Sequence, residues 1–183
     1  MNFYCDIKVL PDPEASEPVL ISNLISKLHR VLVQLKEHNI GISFPQVQKT
    51  LGNTLRLHGT NASLSTLLET QWLKGLRDYC VVGAVSVVPD NCKYRTVKRK
   101  QSKSASNKRK RSIAKGWLSA EEATLKIGDD QQTMLHLPFV QLNSLSTRQT
   151  MKLFIEHGKL RDEETEGQFN RYGLSSVATV PWF

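Results

Sequence analysis

The sequence predicts an α+β protein, and three observations lead there. One long amphipathic helical pattern lies near the N-terminus, short alternating or β-branched runs closed by proline flank it, and a single basic segment follows in the second half. Phe3 to Leu10 alternates apolar and polar residues over part of its length and stops at Pro11-Asp12-Pro13, as a strand does. Residues 18–37 carry Leu20, Ile21, Leu24, Ile25, Leu28, Val31, Leu32 and Leu35 at helical spacing behind Pro18. Asn39-Ile40-Gly41 breaks that helix, and Ile40 to Phe44 is a short strand ended by Pro45. Leu55 to His58 is a further alternating strand, a second helix is expected from about Leu64 to Gly75, and Tyr79 to Val88 is β-branched, apolar and closed by Pro89.

The order strand, helix, strand, strand, helix, strand is that of the ferredoxin-like unit, which RNA-recognition (RRM-like) domains also use. It fills residues 1–90, and a boundary is expected near residue 90. Residues 91–183 are expected to form a smaller, divergent α+β domain. It holds a strand over Tyr94 to Lys98, a basic helix at about 108–115 and a helix opened by Ser119 with Glu122 three residues on, a capping box. Leu137 to Leu142, Met151 to His157 and Gln168 to Leu174 read as strands.

Charge is the informative part of the composition. Of 25 Lys and Arg residues, 11 lie between Lys93 and Lys115, where there is no Asp or Glu, so the rest of the chain holds 14 basic and 17 acidic residues. The protein is a mildly acidic body carrying one cationic segment. A polyanion is the partner such a segment fits, because each neutralised phosphate releases condensed counterions. A solvated charge run or a nuclear localisation signal has the same composition. The longest mostly apolar stretch, Val81 to Val88, is too short to cross a membrane, and Met-Asn-Phe-Tyr-Cys-Asp does not open a signal peptide. Cys5, Cys80 and Cys92 form no CxxC pair, so buried thiols in a reducing cytoplasm are expected, with no metal site.

Cutting RNA without a metal uses the substrate's 2′-hydroxyl as nucleophile, a general base to take its proton, and a second group to orient the ribose. Of five histidines, His29 is the best placed base. It sits at the edge of the apolar stripe of the first helix, beside Ser22 and Ser26, where a ring is both held and accessible. The same position suits a purely structural histidine. His38, His58, His136 and His157 are no better placed, and no two have metal-ligand spacing. The polar loop Asn143 to Thr150 offers hydroxyls that bond a ribose or simply close a turn, and Tyr172 before Gly173 is equally open. There is no GxSxG elbow, no Walker loop and no carboxylate cluster for a two-metal nuclease.

Taken together, the residues resemble the CRISPR-associated endoribonucleases of the type I-F (Csy, Ypest subtype) system, the precursor CRISPR RNA-processing enzymes. The resemblance runs from Lys27-Leu28-His29, Ile40 to Pro45 and Trp72 to Asp78 through Leu137 to Val140, Ser144 to Thr147 and Leu153 to Gly158. It ends in Tyr172 to Ser175 and Val180-Pro181-Trp182-Phe183. It implies an antiviral-defence enzyme that binds the repeat hairpin and cuts at the 3′ base of its stem, leaving a 5′-hydroxyl and a cyclic phosphate. It then stays on the mature crRNA with the other subunits of a crRNA-guided surveillance complex. By resemblance His29 is the catalytic base, Ser144 constrains the ribose, and Tyr172 orients the histidine. Arg99 and Gln101 read base edges, Lys108, Arg109, Lys110, Arg111 and Lys115 form the helix that lies along the RNA major groove, and Ser146 binds RNA. No cofactor and no metal is implied.

Two departures stand out. The basic helix holds lysines where the family has more arginines, and lysine supplies charge without a two-pronged contact. Met151 stands where a stacking aromatic is expected. The competing readings are a catalytically silent RNA-hairpin-binding module, which has no need of His29, Ser144 and Tyr172 together, and a basic nuclear or DNA-binding protein, which leaves the C-terminal motifs unexplained.

Overall fold

A computed structural model describes residues 1–101, 105–128, 135–143 and 149–183. Strand β1 (Phe3–Val9), helix α1 (Glu17–Leu35), β2 (Gly41–Ser43), β3 (Thr54–Gly59), α2 (Asn61–Glu69) and β4 (Cys80–Val82) follow in the expected order. They build one antiparallel sheet in the spatial order β2-β3-β1-β4, with β5 (Ser86–Val87) also paired to β1. This is the ferredoxin-like arrangement, and the α+β class stands.

Helix α1 forms because its apolar residues recur on one face: Leu20, Ile21, Leu24, Ile25, Leu28, Val31 and Leu32 are all buried. Proline in the first turn costs nothing there, since that N–H has no helical partner. The helix stops at Lys36, which takes a left-handed conformation (φ 53°) with its N–H on the Leu32 and Val33 carbonyls.

Helix α2 begins and ends earlier than the apolar pattern predicts. Thr60 and Ser63 cap each other's backbone N–H groups, and the helix ends at Glu69, two residues before Gln71 (φ 50°) turns the chain. The single strand expected over Tyr79 to Val88 is split into β4 and β5. Between them Gly83 leaves the ladder, its N–H donating to the Asp6 carbonyl at 2.8 Å.

Two further sheets are present among the described residues. Strands β7 (Val97–Lys100), β9 (Thr150–His157) and β8 (Phe139–Asn143) lie side by side in that order, and β10 (Val180–Trp182) pairs with β6 (Lys93–Arg95). Packing divides the chain into two units, one of Met1–Arg99 with Leu137–Phe183 and one of Lys100–His136. The boundary expected near residue 90 therefore falls inside the first unit. The second unit holds α3 (Ala105–Ala114) and α4 (Ala120–Lys126). The Ser119–Glu122 capping box is formed, and the Arg109 Nε–H donates to the Ile127 carbonyl at 2.8 Å. Among the described residues, no helix is long and apolar enough to cross a membrane.

In the first unit the C-terminal segment is bound back onto the N-terminal sheet. The Phe169 N–H donates to the His38 carbonyl and the Ile42 N–H to the Gly173 carbonyl, both at 2.9 Å. Arg56 on β3 grips Asp6 on β1 through two hydrogen bonds (2.7 and 2.9 Å) and donates a third to the Phe183 carbonyl at 3.1 Å. Its guanidinium lies 4.7 Å from the Tyr4 ring centroid and 4.0 Å from that of Phe183. A charge this buried is tolerable because it is paired on both oxygens and covered by aromatic faces.

Two histidines in this unit are neutral fixtures of the fold. His58 is fully buried, with Nε2 2.8 Å from the Ser43 hydroxyl. Burial, then the Arg56 charge, pushes it down to about 3. His157 packs edge-on to Phe44 and Trp182, and burial followed by the Arg95 charge pushes it down to about 4. The unfolded chain takes up these protons near pH 6.5, while the folded chain resists until pH 4 or below. Between those limits the unfolded state binds more protons, so the contribution is complete above about pH 6.5 and is lost as pH falls. Tm measured by circular dichroism is expected to drop between pH 7 and 4.5. His157→Phe, which keeps the ring contacts and removes one titrating group, is expected to make that drop smaller; an equal drop in both proteins contradicts the assignment.

Candidate functional site

His29 follows Leu28, which is wholly buried, so its own Cα is fixed by the core while its ring reaches the half-exposed flank of α1. There the ring meets the turn at 170–174. His29 Nδ1 lies 2.8 Å from the Arg171 carbonyl oxygen. The Tyr172 ring stacks flat on the imidazole, with centroids 4.0 Å apart and planes inclined by 8°. A carbonyl oxygen can only accept, so Nδ1 must carry a proton, and in the neutral ring Nε2 then carries the lone pair. The geometry thus fixes both the plane of the ring and which nitrogen is basic.

The strand expected over Gln168 to Leu174 is instead this turn. Asn170 organises it: its side-chain Oδ1 accepts from the N–H groups of Tyr172 (2.8 Å) and Leu174 (3.3 Å), and its carbonyl accepts from the Gly173 N–H at 2.8 Å. Gly173 has φ 72°, and a Cβ placed on it would lie 2.7 Å from Ile42 Cγ2. Only glycine combines that backbone with that approach. The sequence reading missed Asn170 and the Arg171 carbonyl. The available signal was local, since Asn followed three residues later by Gly is a turn signature.

Of the other expected site residues, Ser144 and Ser146 lie outside the described residues. Arg99 is exposed on β7. Its neighbour Lys98 is paired with Glu156 at 2.8 Å, which leaves Arg99 the better placed of the two for an outside partner. Gln101 is exposed just past the end of β7.

In the second unit, helix α3 begins at Ala105 rather than at Lys108 and carries Lys108, Arg109, Lys110 and Arg111, with no acidic residue in its first turn. Lys110 and Arg111 are exposed, whereas Arg109 is half-buried and ties α3 to the end of α4. Lys115 follows the helix, and its ammonium lies 4.3 Å from the ring centroid of the exposed Trp117. Met151 is half-buried on β9, packed against the core.

A cleft of about 370 Å³ opens in the first unit between the start of α1, residues 49–52 and β8. It is lined by Val19, Ile21, Leu51 and Phe139 among others, and neither His29 nor Tyr172 lines it. His29 and Tyr172 are each half-buried. Among the described residues, no group of three or more His, Cys, Asp or Glu side chains is arranged to hold a metal.

The fold and this site define an α+β protein with a ferredoxin-like sheet, a histidine oriented by a stacked tyrosine, and a separate cationic helix. The family model for the CRISPR-associated protein (Cas_Csy4) matches residues 4–183, and the chain belongs to that family. Two curated relatives named CRISPR-associated endonuclease Cas6/Csy4 are similar over the full length of both chains. The one from Escherichia coli (strain UTI89 / UPEC) is 45% identical, and the one from Pseudomonas aeruginosa (strain UCBPP-PA14) is 44% identical.

Gly173→Ala places a methyl group against Ile42 on a left-handed backbone, and it is expected to destabilise the fold by about 1–3 kcal/mol. Denaturant unfolding checks this; a stability equal to wild type means that the turn is not held against β2.

Proposed function

We propose that this protein is a metal-independent endoribonuclease of the cytoplasm that matures CRISPR RNA. It binds the hairpin of the repeat, cuts at the 3′ base of the stem, and remains on the product with the other subunits of a surveillance complex. The observation that carries this reading is the state of His29: Nδ1 is committed to the Arg171 carbonyl, Tyr172 fixes the ring plane, and Nε2 is left basic. The names of the two relatives support an endonuclease, and the cationic segment supports an RNA ligand.

In the cleavage step the 2′-hydroxyl oxygen of the RNA attacks the adjacent phosphorus as its proton passes to His29 Nε2. The bond from phosphorus to the 5′-oxygen breaks, and that oxygen takes a proton from water. The products are a cyclic phosphate and a 5′-hydroxyl, and no step requires a metal. Ser144 has the role of constraining the ribose, with Ser146 nearby in sequence for the RNA backbone. Arg99 and Gln101 read base edges, and Lys108 to Lys115 supply the charge that holds the duplex. A-form RNA keeps its major groove too narrow for most side chains, so the helix enters where a stem end or loop widens it.

His29→Ala is expected to lower single-turnover cleavage by about 10²–10⁴-fold with hairpin affinity nearly unchanged, and EDTA is expected to leave the wild-type rate within a small factor. A substrate with a 2′-deoxy nucleotide at the cut site should bind and stay intact. Cleavage of that substrate, full activity of His29→Ala, or loss in EDTA restored by magnesium each defeats the mechanism.

The binding half is tested separately. Replacing Lys110 and Arg111 with alanine is expected to weaken binding and to lower the slope of log Kd against log salt by about one unit per lost phosphate contact. An unchanged slope places the RNA contact elsewhere.

A further inference from the structure

We infer that Asn170 is a positioning residue for the cleavage reaction and that it selects the tautomer of His29. The inference rests on the proposed role of His29 as the base and adds the group that keeps it in its basic form.

The argument turns on one peptide plane. The Arg171 carbonyl and the Tyr172 N–H belong to the same peptide unit, which is planar, and no peptide bond among the described residues is cis. The two groups therefore point in opposite directions and move together. Asn170 Oδ1 accepts from the Tyr172 N–H at 2.8 Å, which fixes one end of the plane. The other end is then aimed at His29, and its oxygen receives the Nδ1 proton at 2.8 Å.

Were the plane to rotate by half a turn, the Tyr172 N–H would face Nδ1. An N–H can only donate, so Nδ1 would have to accept, the ring proton would move to Nε2, and the nitrogen that takes the substrate's proton would be occupied. The three remaining bonds of Asn170 oppose this rotation by closing the turn around it. Its Oδ1 holds the Leu174 N–H at 3.3 Å, its carbonyl holds the Gly173 N–H at 2.8 Å, and its own N–H donates to the Leu174 carbonyl at 2.9 Å. Only the two side-chain bonds are lost in Asn170→Ala. An aspartate retains both, since a carboxylate oxygen accepts as an amide oxygen does.

Three measurements on the full-length protein test this. Nitrogen-15 NMR of the side chain, with the His29 signals assigned by their absence in His29→Ala, is expected to show the Nδ1–H tautomer in wild type and a mixture with Nε2–H in Asn170→Ala. Single-turnover cleavage of the repeat hairpin should fall by about 10-fold or more in Asn170→Ala, within the ~10²–10⁴-fold worth of a general base, while Kd for the hairpin is unchanged. Asn170→Asp should restore both the tautomer and the rate. Wild-type tautomer and rate in Asn170→Ala overturn the inference, and so does a loss of rate with the tautomer unmoved. His29→Ala cutting at the wild-type rate overturns instead the reading on which the inference rests, whatever Asn170 does.

Discussion

The contact between Gly173 and Ile42 is the constraint on which the site depends. A backbone with φ 72° lies so close to β2 that a Cβ would stand 2.7 Å from a methyl group, and the Gly173 carbonyl takes the Ile42 N–H of that strand at 2.9 Å. Because β2 is hydrogen-bonded to β3, and β3 to β1, the turn inherits the rigidity of the whole sheet. Helix α1 packs its apolar face into the same core and carries His29 out to its edge. Two elements some 140 residues apart in sequence thus meet without either being free to drift. This is what a hydrogen bond of 2.8 Å and a flat ring stack require.

The same segment is tied down twice more. Phe169 fills the space above Gly41, where a Cβ would lie 2.7 Å from its ring. At the end of the chain Arg56 joins the Phe183 carbonyl to Asp6. These contacts explain why the closing Val-Pro-Trp-Phe belongs to the fold. Pro181 sits in β10, a strand with one partner among the described residues, where a missing N–H is tolerated. The cationic cluster and the histidine–tyrosine pair belong to different units: the densest basic cluster is in the helical unit of Lys100–His136, and His29 and Tyr172 are in the other.

Much was legible in the sequence because it is written in local terms. The stripe on α1, the Ser119–Glu122 box and the alternation in β1 each depend on residues within one or two turns of one another, and all are present. Elements decided by distant partners were misread. The run from Tyr79 to Val88 has strand composition throughout, but Gly83 bonds Asp6 and interrupts it. Gln168 to Leu174 also looks extended, and Asn170 and Gly173 fold it into a turn. Arg109 looks like one more exposed cation in a run of four basic residues, but it is half-buried, with its Nε–H on the Ile127 carbonyl.

The sequence by itself determined the α+β class, the order of the N-terminal elements, the single cationic segment and the residues His29 and Tyr172 as candidates. Periodicity, capping and charge are properties of neighbouring residues, and composition survives without coordinates. Only the tertiary structure decided that His29 and Tyr172 stack, that the Arg171 carbonyl holds Nδ1, and that Nε2 is the basic nitrogen. The reason is physical: a tautomer is chosen by what lies 2.8 Å from the ring, and here that partner comes from a turn 142 residues away in the chain.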